Sequence, residues 1–258
     1  MRLMKRILSA AAVLALSASL LVGCSSGTAS SVPVSASSAA ESTVSSVEET
    51  ASSAVDENEA AAAQLLIDRA GCYMEMWPVI LADEYKQTWL DDCTALVGED
   101  NAEAAFEKLS SMVTGDVYGE DAVKAYANGG GAYFCGFTNS LATLTFDGET
   151  STISGTDKDG NVLFSHAYHY IGMEPVRGLY EFESDDADSG EFTYFFLAPD
   201  TSAETYHIEF RYGSDAEALS QYDAGEYAYW LASGISTDCD QTMIDNCIEL
   251  FCTENLAG

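Results

Sequence analysis

Val162-Leu163-Phe164-Ser165-His166-Ala167-Tyr168-His169-Tyr170-Ile171 alternates large apolar or aromatic residues with small or polar ones at a period of two. That period belongs to a strand with one buried face, because successive side chains point to opposite sides of a pleated backbone. Working outward, the same alternation recurs at Ala132–Thr138, Ser140–Phe146, Ser151–Thr156, Arg177–Glu183, Glu191–Leu197 and Glu204–Tyr212. These segments are rich in Tyr, Phe, Val and Thr, which suit a half-buried pleated surface. Between them lie Asp147-Gly148, Lys158-Asp159-Gly160 and the acidic Asp185–Gly190, all turn chemistry. About seven short antiparallel strands in tight hairpins predict a meander that curls into a barrel. Upstream, Glu57 to about Leu96 reads as helical, with Pro78 starting or bending its second segment. Ala102–Met112 and Glu120–Tyr126 read as further helices, ended by Asn128-Gly129-Gly130-Gly131. Helix returns at Ala216–Gln221 and Asp238–Phe251, with Ser236, Thr237 and Asp238 as candidate caps. The expected class is mainly β, an antiparallel barrel with N-terminal helices and a C-terminal helix.

The N-terminus carries Arg2, Lys5 and Arg6, an apolar run from Ile7 to Val22, and then Leu21-Val22-Gly23-Cys24. A positive end, a short apolar core and a small residue at the cut define a secretory signal over residues 1–23 rather than a spanning helix. Cysteine directly after Leu-Val-Gly is the lipobox pattern, so Cys24 is expected to carry lipid and to hold the protein on a bacterial membrane, outside the cytoplasm. Residues 24–56 are almost all Ser, Ala, Val, Thr and Glu. They hold too little apolar surface to offset ordering entropy and read as a tether. Residues 57–258 suit one domain. Removing the signal leaves 7 basic residues against 42 acidic ones, a net charge of about −35. Such a surface repels nucleic acid and anionic lipid and concentrates cations. It equally serves solubility with no partner, so charge alone selects no function. Cys72, Cys93, Cys135, Cys239, Cys247 and Cys252 permit disulfides outside the cytoplasm, but six cysteines allow fifteen connectivities.

Calcium fits poorly. Around Asp157-Lys158-Asp159-Gly160 the first position of an EF-hand loop is Gly155 and the twelfth is His166. No Gly-x-Ser-x-Gly, Ser-x-x-Lys or His-Glu-x-x-His occurs, and three histidines serve the whole chain, so catalysis is not expected. His166 and His169, three apart in a strand, point to opposite faces. His207 and Glu209, two apart, share one face; Asp200 can approach it across a loop, and Thr205 from the same strand. Imidazole with carboxylates from neighbouring positions suits zinc or a similar divalent ion. A strand histidine bonded only to its neighbours fits the same spacing.

Several stretches in order resemble the ZinT (YodA) family of extracytoplasmic zinc-binding proteins. Asp68-Arg69-Ala70-Gly71-Cys72-Tyr73-Met74-Glu75-Met76-Trp77-Pro78 resembles the family's Asp-Trp-x-Gly-x-Trp run ending in Tyr-Pro. Gly71 and Pro78 match, Tyr73 and Trp77 are aromatic exchanges, and Arg69 replaces the first Trp. Ala167–Gly172 resembles its Tyr-x-Tyr-Val-Gly strand. Val176–Phe182, Gly190–Tyr194, Tyr206–Gly213 and Glu217–Leu219 follow in the family's order, so the resemblance runs from about residue 64 to 252. It implies a lipocalin-like, or calycin, barrel and zinc held by three histidines, one in Ser-Asp-His and two in His-x-His. Here Leu197-Ala198-Pro199-Asp200 replaces the first segment and only His207 remains of the second. Aligned from the glycine end, Glu209 stands for the second histidine. Aligned from Ala203-Glu204, Thr205 stands for the first. The former needs no insertion inside the strand. The resemblance thus implies a carboxylate-enriched divalent-metal site around Asp200, His207 and Glu209, with zinc as the first candidate and a metal transporter as a partner. The missing histidines keep open a metal-free calycin-like module that binds a small molecule or protein.

Overall fold

The computed structural model describes residues 57–199 and 207–257. The signal, Cys24, the tether, Asp200 and Thr205 lie outside the described residues. Helix α1 covers residues 57–68, followed by β1 (Gly71–Glu75), α2 (Trp77–Ile80), α3 (Lys86–Val97), α4 (Glu99–Val113) and α5 (Glu120–Ala127). Strands β2 (Thr143–Asp147), β3 (Thr152–Thr156), β4 (Val162–Met173), β5 (Tyr180–Ser184), β6 (Tyr194–Leu197) and β7 (His207–Gly213) come next. Then α6 (Ala216–Leu219), β8 (Ala232–Ser236) and α7 (Gln241–Leu256) complete the chain.

The strands form a closed antiparallel barrel in simple meander order, sealed where β1 pairs with β8. Closure leaves no unpaired edge. The inward faces carry Phe164 and Tyr168 of β4, Phe195 of β6, and Ile208, Phe210 and Tyr212 of β7, all buried in one cluster with Trp230. Phe195 stacks on Tyr212 at 5.3 Å, and Tyr212 meets Trp230 edge-on at 5.0 Å. Aromatic side chains therefore fill the barrel. Helix α1 adds Ala62, Leu65 and Leu66 to this cluster beside the β2–β3 turn.

A second apolar layer lies against the outer face of β8. Ile235 packs there with Trp77 and Ile80 of α2, Trp89 and Cys93 of α3, Leu109 of α4, and Ile244, Ile248 and Cys252 of α7. The Trp89 indole N–H donates to the Ile80 carbonyl at 2.7 Å, which spares a buried donor from going unpaired. Asp240 caps α7, its carboxylate accepting from the Met243 N–H at 3.0 Å.

Four sequence expectations need correction. The helical reading of Glu57 to Leu96 runs through β1; Gly71, at φ +144°, ends α1 and lets the chain turn into a strand. Ala132–Thr138 alternates but forms no strand of the barrel; isolated bridges link Phe134 to Thr114 and Trp230, and the Ser233 N–H of β8 donates to the Cys135 carbonyl at 3.0 Å. β8, Ala-Ser-Gly-Ile-Ser, was not expected, because it is buried on both faces and shows no alternation. The cap of α7 is Asp240, two residues beyond the expected start, because Ser236 and Asp238 are spent on a turn in which the Ser236 hydroxyl accepts from the Asp238 N–H. The Asp157 turn is the hairpin expected: its carboxylate accepts from the N–H groups of Asp159 and Asn161, each at 2.9 Å.

Candidate functional site

β7 sends Ile208, Phe210 and Tyr212 into the barrel, so His207, Glu209 and Arg211 face outward. Each outward residue meets a different cover. Arg211 is fully buried; its guanidinium donates to the carbonyls of Leu219, Gln221 and Tyr227 and lies 4.3 Å from the Tyr222 ring centre. It fastens the α6 segment to the barrel wall. His207 and Glu209 pair across the sheet with Ile235 and Ser233 of β8 and sit under α7.

On α7, Cys247, Leu250, Phe251 and Glu254 recur at three- and four-residue spacing, which puts them on one face. That face, Met76 and Trp77 at the start of α2, and the outward pair of β7 line a cleft of about 30 Å³. Two of the expected residues, His207 and Glu209, are thus brought together, and Glu254 and Cys247 join them. Asp200 and Thr205 fall outside the described residues. Sequence reasoning missed Glu254 and Cys247 because they meet β7 only through helix packing. The signal was present in the helical face of α7, but it named no partner.

Glu209 also lines a second cavity of about 340 Å³ with Arg177, Leu179, Ala198, Pro199 and Leu231. Arg177 is held at its rim, donating to the Tyr133 hydroxyl at 3.1 Å and lying 4.6 Å from the Tyr222 ring centre. Close to Glu209 is Cys135, whose thiol is pushed up to about 12, first by burial and then by the Glu209 carboxylate. It stays protonated at neutral pH. The donor set at the cleft is therefore one imidazole and two carboxylates, with the Cys247 sulfur alongside. Among the described residues no three His, Cys, Asp or Glu side chains converge closely enough to enclose an ion.

The other histidines lie elsewhere. His166 and His169 face opposite sides of β4, as expected; each ring Nδ1 sits 2.7 Å from a carboxylate oxygen, of Asp186 and Asp185 respectively. They tie β4 to the β5–β6 turn.

Fold and cleft together define a closed, aromatic-filled barrel roofed on one side by helices, with a small cleft of mixed polar and apolar lining under the roof. No family model matches the chain, and no curated protein matches it. Among solved structures, the Zn(II)-bound ZinT-like domain of Streptococcus pneumoniae AdcA is similar, with a TM-score of 0.44 and 16% identity, over 70% of this chain and 88% of that one. Zn(II)-bound AdcA from the same organism gives 0.42 and 14%, over 72% of this chain and 34% of that one.

Proposed function

We propose that this protein is an extracytoplasmic lipoprotein, anchored through lipid on Cys24, that captures or buffers a divalent metal ion, zinc first. The ion is held by His207 and Glu209 on the outward face of β7, with Asp200, which lies outside the described residues, as the further ligand expected from the sequence. Handing the ion to a metal transporter completes the role. The observation that carries this reading is that His207 and Glu209 share the outward face of β7 and line one cleft with Glu254 of α7. One nitrogen with carboxylate oxygens suits borderline and harder divalent ions, and binds zinc less selectively than three imidazoles do.

Calorimetric zinc titration of the full chain, at physiological salt and with thiol oxidation state defined, tests it. The expected result is one saturable site tighter than about micromolar, lost in a His207→Ala, Glu209→Ala double variant. Weak, salt-sensitive heat that the double variant leaves unchanged sinks the proposal.

One observation favours a second reading, a metal-free binding module. The barrel interior is filled by aromatic rings, but the cavity of about 340 Å³ beside Arg177 and Glu209 has room for a small molecule. A melting temperature indifferent to zinc, manganese and calcium, together with the failed titration, supports that alternative.

A further inference from the structure

We propose that Cys93 and Cys252 are the site of a structural disulfide that staples α7, the roof of the cleft, to α3. Their sulfurs are 3.9 Å apart, in direct contact, although the residues are 159 positions apart in the chain. Both side chains are wholly buried. The contact sits in a seam built for it. Cys93 follows Trp89 by one turn of α3, Cys252 follows Ile248 by one turn of α7, and the Trp89 and Phe251 rings meet edge-on at 6.0 Å beside them. Bond formation needs the sulfurs to close to about 2.05 Å, a movement within reach of side-chain rotation and a small approach of the helices. Of the fifteen pairings open to six cysteines, this contact selects one bond.

The chemistry is thiol–disulfide exchange with an external disulfide, either a small-molecule disulfide or that of an oxidoreductase outside the cytoplasm. One cysteine thiolate attacks the external disulfide, forms a mixed disulfide and expels one external thiolate. The other cysteine thiolate then attacks the protein-side sulfur and expels the second. The protein loses two electrons and two protons, and the external disulfide is reduced to two thiols. Burial holds both cysteine thiols above their usual range, so exchange belongs to the folding chain, before the seam closes. Once closed, the bond encloses almost the whole barrel in one loop, the arrangement in which a crosslink most restricts the unfolded chain.

The test uses the full chain, unfolded and reduced, then refolded in mixed reduced and oxidised glutathione. The folded fraction is isolated, alkylated under denaturing conditions and digested without reductant for mass spectrometry. The expected dominant crosslink joins the peptides bearing Cys93 and Cys252, lighter than their reduced sum by two hydrogens. The reduced, already folded protein is expected to acquire it far more slowly. Oxidised protein should melt about 10 °C above reduced protein, and a Cys93→Ala, Cys252→Ala variant should lose that response to reductant. Recovery of both cysteines alkylated after refolding, or joined mainly to other partners, overturns the proposal. This outcome is independent of zinc binding, so it fails or succeeds apart from the metal reading.

Discussion

Asp92 sits beside that seam, and its carboxyl is pushed up to about 6, first by burial and then by the charges of Glu249, Asp245 and Asp91. In the unfolded chain an aspartate titrates near 3.9, so the folded state holds a proton that the unfolded state has lost between about pH 4 and 6. The group's contribution is therefore most favourable below about pH 4 and is lost as pH rises through 6. At neutral pH Asp92 is a partly screened cost, and Asp92→Asn should stabilise the fold by about 1 kcal/mol, a few degrees of melting temperature. Paired melts of both proteins check this: a clear gain at about pH 7.5 and almost none at about pH 4. An equal gain at both values would show that the carboxylate is not strained by its neighbours.

The elements divide by how much of their environment is local. β2, β3 and β4 were legible because one face is packed and the other is not, so alternation survives in sequence. β8 was not, since helices cover its outer face while the barrel interior covers the inner one, and burial on both sides erases the period; β1 is only five residues long, with Tyr73 alone buried, and lies between helical segments that mask it. Half of the candidate cleft followed the same rule. His207 and Glu209 share a face by period alone, whereas Glu254 and Cys247 reach it through the docking of α7, which no local pattern encodes. Gly148 is a related case. As part of Asp147-Gly148 it reads as a turn residue, yet it needs no left-handed backbone; its requirement is space. A Cβ there would lie 2.6 Å from the Leu66 carbonyl oxygen and against the backbone of Ile67. Backbone cannot yield as a side-chain tip can. Gly148→Ala is therefore expected to lift α1 from the barrel at a cost of about 2 kcal/mol. Amide hydrogen exchange should quicken over residues 57–68 while the barrel strands keep their protection. Uniform loss of protection would mean that α1 and the barrel unfold as one unit.

At the scale of the whole molecule, a net charge of −32 spread over 42 acidic and 10 basic residues makes any cation a weak ligand. Like charges repel in the compact state, and screening relieves them, so the melting temperature should climb with sodium chloride and level off. This background separates diffuse attraction from a built site. At about 10 mM salt the screening length is about 30 Å, and calcium, magnesium and zinc should all raise the melting temperature, whatever residue 207 is. At about 150 mM salt the length falls to about 8 Å and that shared effect should largely vanish. An ion that fits the cleft still binds only the folded state, and at a hundredfold excess over its dissociation constant it adds about 2.7 kcal/mol. For a domain of this size the gain is about 5–10 °C. The His207→Ala, Glu209→Ala protein should keep the low-salt response and lose the high-salt one. If zinc raises both proteins equally at about 150 mM, the ion is bound elsewhere, and the cleft is a packing seam between β7 and α7 rather than a site.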